Sequence, residues 1–155
     1  MRRFLTCDTK KCTGCRICEL VCSEEKEGLY NPKKSRIKVV KLGPLSVFAL
    51  ACRFCEEPRC FVSCPRGALQ KSQNRGGVFV DGAKCSGCSW CMEACDFGSL
   101  AFHPNEKELI VCDLCEGNPK CVESCPVGAL EIVTPNTLAQ KARYAAVKSL
   151  SEGGS

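Results

Sequence analysis

Sixteen of the seventeen cysteines in this chain fall into four short runs. Cys12, Cys15, Cys18 and Cys22 read C-x2-C-x2-C-x3-C, and Cys85, Cys88, Cys91 and Cys95 repeat that spacing to the residue. Cys52, Cys55, Cys60 and Cys64 form a looser version, as do Cys112, Cys115, Cys121 and Cys125, and each of these two is closed by a proline, Pro65 or Pro126. Few folds accept so many thiols. The rest of the composition adds to the constraint, because 13 glycines, 8 prolines and 6% aromatic residues cannot build a large apolar core. Something other than side-chain packing must hold the chain together.

In such a run, three thiolates hold one four-iron, four-sulfur cluster and the fourth reaches across to a neighbour. Two residues between thiolates let the chain wrap successive corners of a cube, with Gly14 and Gly87 allowing the tight turn. The fourth cysteine lies beyond a short helical turn, expected to point the other way, and a proline after it turns the chain out of that helix. Zinc sites need two separated C-x2-C pairs rather than triplets with a fourth, which makes a zinc-stabilised interaction module the weaker alternative. A disulfide framework calls for an even count and an oxidising compartment. The spacing therefore predicts four [4Fe-4S] clusters with all sixteen motif cysteines as ligands, and an apoprotein with little stable structure.

The formal net charge of +5 counts every cysteine as neutral. A cluster with its four thiolates carries about −2, so four of them bring the holoprotein to about −3. That argues against nucleic-acid binding, and no arginine-rich stretch interleaved with aromatics supports it. No segment is long and apolar enough to cross a membrane. Met1-Arg2-Arg3-Phe4-Leu5 looks like the core of a twin-arginine signal, yet Lys10, Lys11 and the first ligand follow at once. The expectation is a cytoplasmic protein without direct membrane insertion.

Between the motifs the pattern is α+β and rich in loops. Arg2 to Thr6 reads as an opening strand, and residues 23–35 as a polar loop. Arg36 to Leu42 and Val47 to Ala51 read as strands joined at Gly43-Pro44. Residues 67–69 and 78–80 flank a polar turn through Asn74 to Gly77. Leu100 to Phe102 and Leu109 to Val111 make a second hairpin, and Glu131 to Val133 a last strand. Thr134 and Pro135 open a C-terminal helix over 135–150, expected to pack on the body, with docking to a partner subunit as the alternative. Ser151 to Ser155 are expected to be disordered.

The repeats suggest the architecture. Cys64-Pro65, then Gly67-Ala68-Leu69, one hairpin and Cys85 is the layout that joins the two ligand runs of a small two-cluster ferredoxin. A single polyferredoxin domain over 1–155 is expected, built as two interleaved bacterial-ferredoxin-like 2[4Fe-4S] units. An inner unit of about 46–105 nests in an outer unit of about 1–45 and 106–135. In this scheme Cys12, Cys15 and Cys18 share a cluster with Cys125, and Cys112, Cys115 and Cys121 take Cys22. Cys85, Cys88 and Cys91 take Cys64, and Cys52, Cys55 and Cys60 take Cys95. The tandem alternative joins motif one to two and three to four. It suffers from the loop between Cys22 and Cys52, which is unlike a ferredoxin hairpin.

The segments Cys-Arg-Phe-Cys-Glu-Glu-Pro-Arg-Cys-Phe-Val-Ser-Cys-Pro and Cys-Asp-Leu-Cys-Glu-Gly-Asn-Pro-Lys-Cys-Val-Glu-Ser-Cys-Pro-Val-Gly-Ala-Leu resemble the four-cluster ferredoxin subunits of multi-subunit oxidoreductases. That group includes the iron–sulfur subunits of dimethyl-sulfoxide reductases, formate dehydrogenases, hydrogenases, carbon monoxide dehydrogenases and tungsten aldehyde oxidoreductases. The resemblance spans residues 7 to about 133 and implies a near-linear wire ordered motif one, four, two, three. It implies an electron-transfer subunit of anaerobic metabolism without substrate chemistry of its own. A larger catalytic subunit, tungsten- or molybdenum-pterin by preference, and a second electron carrier or flavin subunit would be its partners. A free-standing polyferredoxin is the alternative. Ser23 and Asp96 stand where proline often follows the fourth cysteine, and Cys88 is present where nitrate-reductase-type relatives carry tryptophan. Cys7 reads as a small buried hydrophobe, and His103 as a turn residue. Asp96 stands near enough to a motif to tune a cluster by its charge.

Overall fold

The computed structural model describes residues 2–43, 46–72 and 77–152. Its strands are short and paired two by two. β1 (Phe4–Cys7) pairs antiparallel with β8 (Leu130–Val133), Phe4 opposite Val133 and Cys7 opposite Leu130, and so ties the first strand to the last. β2 (Lys38–Leu42) and β3 (Ser46–Leu50) form a hairpin. So do β4 (Leu69–Lys71) with β5 (Val78–Val80), and β6 (Ala101–Phe102) with β7 (Leu109–Ile110). The expected Gly43-Pro44 turn and the turn through Asn74 fall partly outside the described residues.

The helices sit on the cysteine runs: α1 (Ile17–Glu27), α2 (Arg59–Val62), α3 (Trp90–Glu93) and α4 (Lys120–Glu123). α1 packs on α4, and α2 packs on α3. α2, α3 and α4 stop after one turn, α3 with Asp96 where the other two have proline, whereas α1 runs on through Ser23. Its hydroxyl is fully buried, donates to the Leu20 carbonyl at 2.8 Å and accepts the Asn31 N–H at 2.9 Å. The helix then ends at Gly28, whose left-handed backbone (φ 67°) lets its N–H bond the Glu24 carbonyl.

Two apolar clusters form the interior, and thiols belong to both. The first gathers Phe4, Leu5, Ile37, Val39, Phe54, Leu130 and Val133 with Cys18, Cys22, Cys52 and Cys121. The second gathers Leu69, Val78, Leu100 and Leu109 with Cys60. Arg53 joins distant parts of the chain, its guanidinium 4.4 Å from the Phe4 ring centre and 5.4 Å from that of Phe97.

The C-terminal helix departs from expectation. α5 (Pro135–Glu152) is capped as anticipated, the Thr137 N–H donating to Thr134 Oγ1 at 3.2 Å. It does not lie on the body, however. Only Leu138 packs against the first core, whereas Tyr144, Val147 and Leu150 are 76%, 64% and 79% exposed. The helix stands out because its apolar residues are few and dilute. It also runs through Ser151 and Glu152, where the sequence predicts disorder; residues 153–155 lie outside the described ones. No helix among the described residues is long and apolar enough to cross a membrane.

Gly77 offers a local test. It has φ +74°, and a Cβ there would stand 2.6 Å from Cδ1 of Phe54, a buried ring between Cys52 and Cys55. Gly77→Ala is expected to destabilise the holoprotein by roughly 1–3 kcal/mol in denaturant titration. An unchanged midpoint would mean that the ring swings aside freely.

Candidate iron–sulfur sites

Each cysteine run ends in two thiols four residues apart, Cys18 with Cys22, Cys60 with Cys64, Cys91 with Cys95 and Cys121 with Cys125. On α1 this spacing sets Cys18 and Cys22 on one face, one turn apart along the axis. The fourth thiol is thus displaced along the helix rather than turned to its opposite side, as the sequence suggested. Displacement is enough to deliver the two thiols to different places. The preceding loops bend through left-handed residues around the second cysteine: Gly14 (φ 70°) and Arg16 (φ 64°), Gly87 (φ 71°) and Ser89 (φ 70°). In the looser runs Phe54, Leu114 and Cys115 take that conformation, although none is glycine.

Packing brings the sixteen thiols into four groups. Cys12, Cys15 and Cys18 line one opening of about 330 Å³ together with Cys125, backed by Val39, Ala49 and Leu130. Cys85, Cys88 and Cys91 line another of about 340 Å³ with Cys64, backed by Leu69, Val80 and Leu109. Burial raises the Cys121 thiol, and Cys112, Cys22 and Cys115 add to the shift. The Cys60 thiol is pushed up to about 12, by burial first and then by Cys95, Cys52 and Cys55. The groups also touch one another. Cys18 acts on Cys121, linking the first group to that of motif four, and Cys52 acts on Cys112, linking motif four to motif two. The groups of motifs two and three meet where α2 packs on α3.

These thiols are badly placed to be bare. Burial, then Glu19 and the neighbouring Cys15 and Cys12, push Cys18 up to about 12. Burial, then Cys22 and Cys52, do the same to Cys112. Cys52 is pushed up to about 11, by burial first. A coordinated iron reverses that logic, since its positive charge strips the proton from a thiol outright. Backbone N–H groups already point at several sulfurs: Arg36 at Cys22 (3.3 Å), Ala68 at Cys64 (3.3 Å), Leu114 at Cys112 (3.4 Å) and Ala129 at Cys125 (3.3 Å). Burial raises Cys64, but the amides of Leu69, Ala68, Arg66 and Gly67 outweigh it and hold that thiol below its ordinary value. Such donors favour the anionic sulfur.

The donor set fits [4Fe-4S] clusters. Four thiols line each opening, among apolar residues with Arg66, Lys84, Ser86 and Ser89 at one and Thr13 and Arg16 at the other. Among the described residues, no three Cys, His, Asp or Glu groups converge closely enough to hold a single metal ion.

Cys7, half-buried on β1, adjoins Cys12 and Cys125 of the first group; burial first, then these thiols, push it up to about 11. Cys7→Ser is expected to leave the iron content unchanged; loss of a cluster would make Cys7 a ligand. Asp96 pairs with Arg59 at 3.0 Å on the surface. His103 does follow a strand into a turn, but its side chain is buried among charged groups. Nothing in the local pattern around His103-Pro104 signals that burial, because the groups opposite it come from α1 and the loop after it.

Comparison with known proteins points to iron–sulfur clusters as well. The 4Fe-4S dicluster domain matches residues 44–134. The protein is 41% identical over 129 residues to the polyferredoxin-like subunit of an aliphatic sulfonate oxidoreductase from Pyrococcus furiosus, covering 81% of this chain and 75% of that one. It is 35% identical over 153 residues to the B subunit of the anaerobic dimethyl sulfoxide reductase of Escherichia coli, covering 86% and 74%. Among solved structures, it resembles part of the active site complex BamBC of benzoyl coenzyme A reductase, with a TM-score of 0.51 and 27% identity over 92% of this chain and 88% of that one. With sixteen cysteines in four runs and relatives of this kind, the protein belongs to the 4Fe-4S dicluster domain family.

Proposed function

We propose that this chain is the electron-transfer subunit of an oxidoreductase complex and holds four [4Fe-4S] clusters. The ligand sets are Cys12, Cys15, Cys18 and Cys125; Cys112, Cys115, Cys121 and Cys22; Cys52, Cys55, Cys60 and Cys95; and Cys85, Cys88, Cys91 and Cys64. One observation carries the reading: each group of thiols draws its fourth member from a different motif, and the groups adjoin in the order one, four, two, three. When bound, clusters in such a row supply one-electron carriers between the two ends.

The residues do the rest. Backbone amides stabilise the thiolates, apolar side chains exclude water, and exposed Cys15 and Cys88 bring the two end sites close to the surface. The strand pairings support two nested units, with the inner one displaced along the chain from 46–105. β3 belongs with β2 and β1, and Leu109 belongs with Leu69, so the inner unit runs from about 51 to about 111. No substrate chemistry belongs to this chain, since no cysteine run lacks a ligand. A larger catalytic subunit, of tungsten- or molybdenum-pterin type, meets one end, and a second electron carrier or flavin subunit meets the other. The exposed α5 favours such a bound subunit over a free-standing polyferredoxin.

The reconstituted chain alone should take up electrons from a strong reductant and turn over no organic substrate. Oxidation of an aldehyde, formate or hydrogen by the isolated chain would overturn this assignment. Identification of what co-purifies with the native chain tests the partner.

A further inference from the structure

His103 is the only histidine, and it is buried where the β6–β7 hairpin meets the end of α1. Its Nε2 lies 3.6 Å from Glu27 Oε2, and its Nδ1 lies 3.8 Å from Glu106 Oε1. Nδ1 accepts the Asn105 N–H at 3.4 Å, whereas Nε2 has no hydrogen-bond partner. Glu27 in turn holds Arg36 Nη2 at 2.7 Å and Lys34 Nζ at 3.8 Å. Arg36 closes the path to a thiol, because its backbone N–H donates to Cys22 Sγ at 3.3 Å. The charged groups facing the ring are therefore Glu27 from α1 and Glu106 from its own hairpin, with Lys34 and Arg36 behind Glu27. Two carboxylates and two cations thus lie around the ring.

We propose that His103 takes up one proton from solvent when the cluster held by Cys22, Cys112, Cys115 and Cys121 gains one electron. This rests on the four-cluster reading above. The electron places negative charge on Cys22 and its partners. Arg36 is drawn toward that charge, which leaves more of the Glu27 carboxylate to a protonated His103 ring. The electron comes from the redox partner at one end of the wire. The proton comes from water by way of Glu106, which is 63% exposed, and leaves when the electron does. A buried charge of one sign is thus answered by one of the other, which lowers the cost of reduction.

The test is a potentiometric titration of the holoprotein, followed by electron paramagnetic resonance, from about pH 5.5 to about pH 8.5. The potential of one cluster should fall as pH rises, by up to tenfold in the reduced-to-oxidised ratio per pH unit, about 59 mV for one electron. His103→Gln should flatten that slope with iron content unchanged, and Glu27→Gln should weaken it. Because the histidine is unique, its ring resonances report directly: reduction at fixed pH should move them toward the protonated form. Potentials flat with pH in the unmodified protein, a slope that survives His103→Gln, or ring resonances unmoved by reduction would each overturn the proposal. Fewer than four reducible clusters would instead sink the ligand reading beneath it.

Discussion

Removing iron from the anaerobic protein with a chelator is expected to unfold it. Five of the buried residues in the two apolar clusters are Cys18, Cys22, Cys52, Cys121 and Cys60. With iron gone, they become a set of buried thiols facing openings rather than a core. The secondary structure cannot compensate. α2, α3 and α4 are single turns of four residues, far below the length at which a helix holds by itself. Each sheet has only two strands, and an isolated pair is marginal in water. A structural zinc contributes about 10–16 kcal/mol of folding free energy in a small domain, and the four proposed clusters would act at four places. Circular dichroism should therefore lose most of its signal as iron leaves, except for a residue of helix from α5. Intact protein should release about sixteen irons per chain. Retention of the folded spectrum without iron, or a count near eight, would defeat the prediction.

The second large effect is expected from Cys125→Ala. Cys125 shares its opening with Cys12, Cys15 and Cys18, although most of the chain separates them. The variant should lose or convert the cluster of the first motif and leave the signal of the third-motif site untouched. In a tandem scheme Cys125 would complete the site of Cys85, Cys88 and Cys91, so a spectroscopic change confined to that site would refute the nested ligand sets. The control is Cys64→Ala, which should disturb the third-motif site alone. Stability should fall as well, because α4 would lose its tie to α1 and β1–β8 its nearest anchor.

Much of the molecule was legible in the residues. Cysteine spacing is short-range chemistry, and it points to a four-iron cage wherever it occurs. The strands were legible for the same reason: Val39, Ala49, Leu69, Val78 and Leu109 are apolar residues beside turn formers, and each is buried on a short strand or at its start. Thr134 and Pro135 announced the start of α5 correctly, because a cap is a matter of a few adjacent residues.

What the residues alone did not decide depends on groups far apart in the chain. The course of α5 was misjudged, since helical spacing of Ala142, Ala145 and Leu150 says nothing about whether a surface is available to receive them. The surroundings of His103 were invisible, because Glu27, Lys34 and Arg36 come from beyond the first cysteine run. The path of α1 past Cys22 was not legible either, since the Ser23 hydroxyl is buried by the return of the chain at Asn31. Composition and spacing by themselves determined the kind of cofactor, an iron–sulfur cluster, and put forward sixteen cysteines to bind it. Which thiols stand together was decided by α1 against α4 and α2 against α3, since a thiol can choose between two cages only after packing has brought both within its reach.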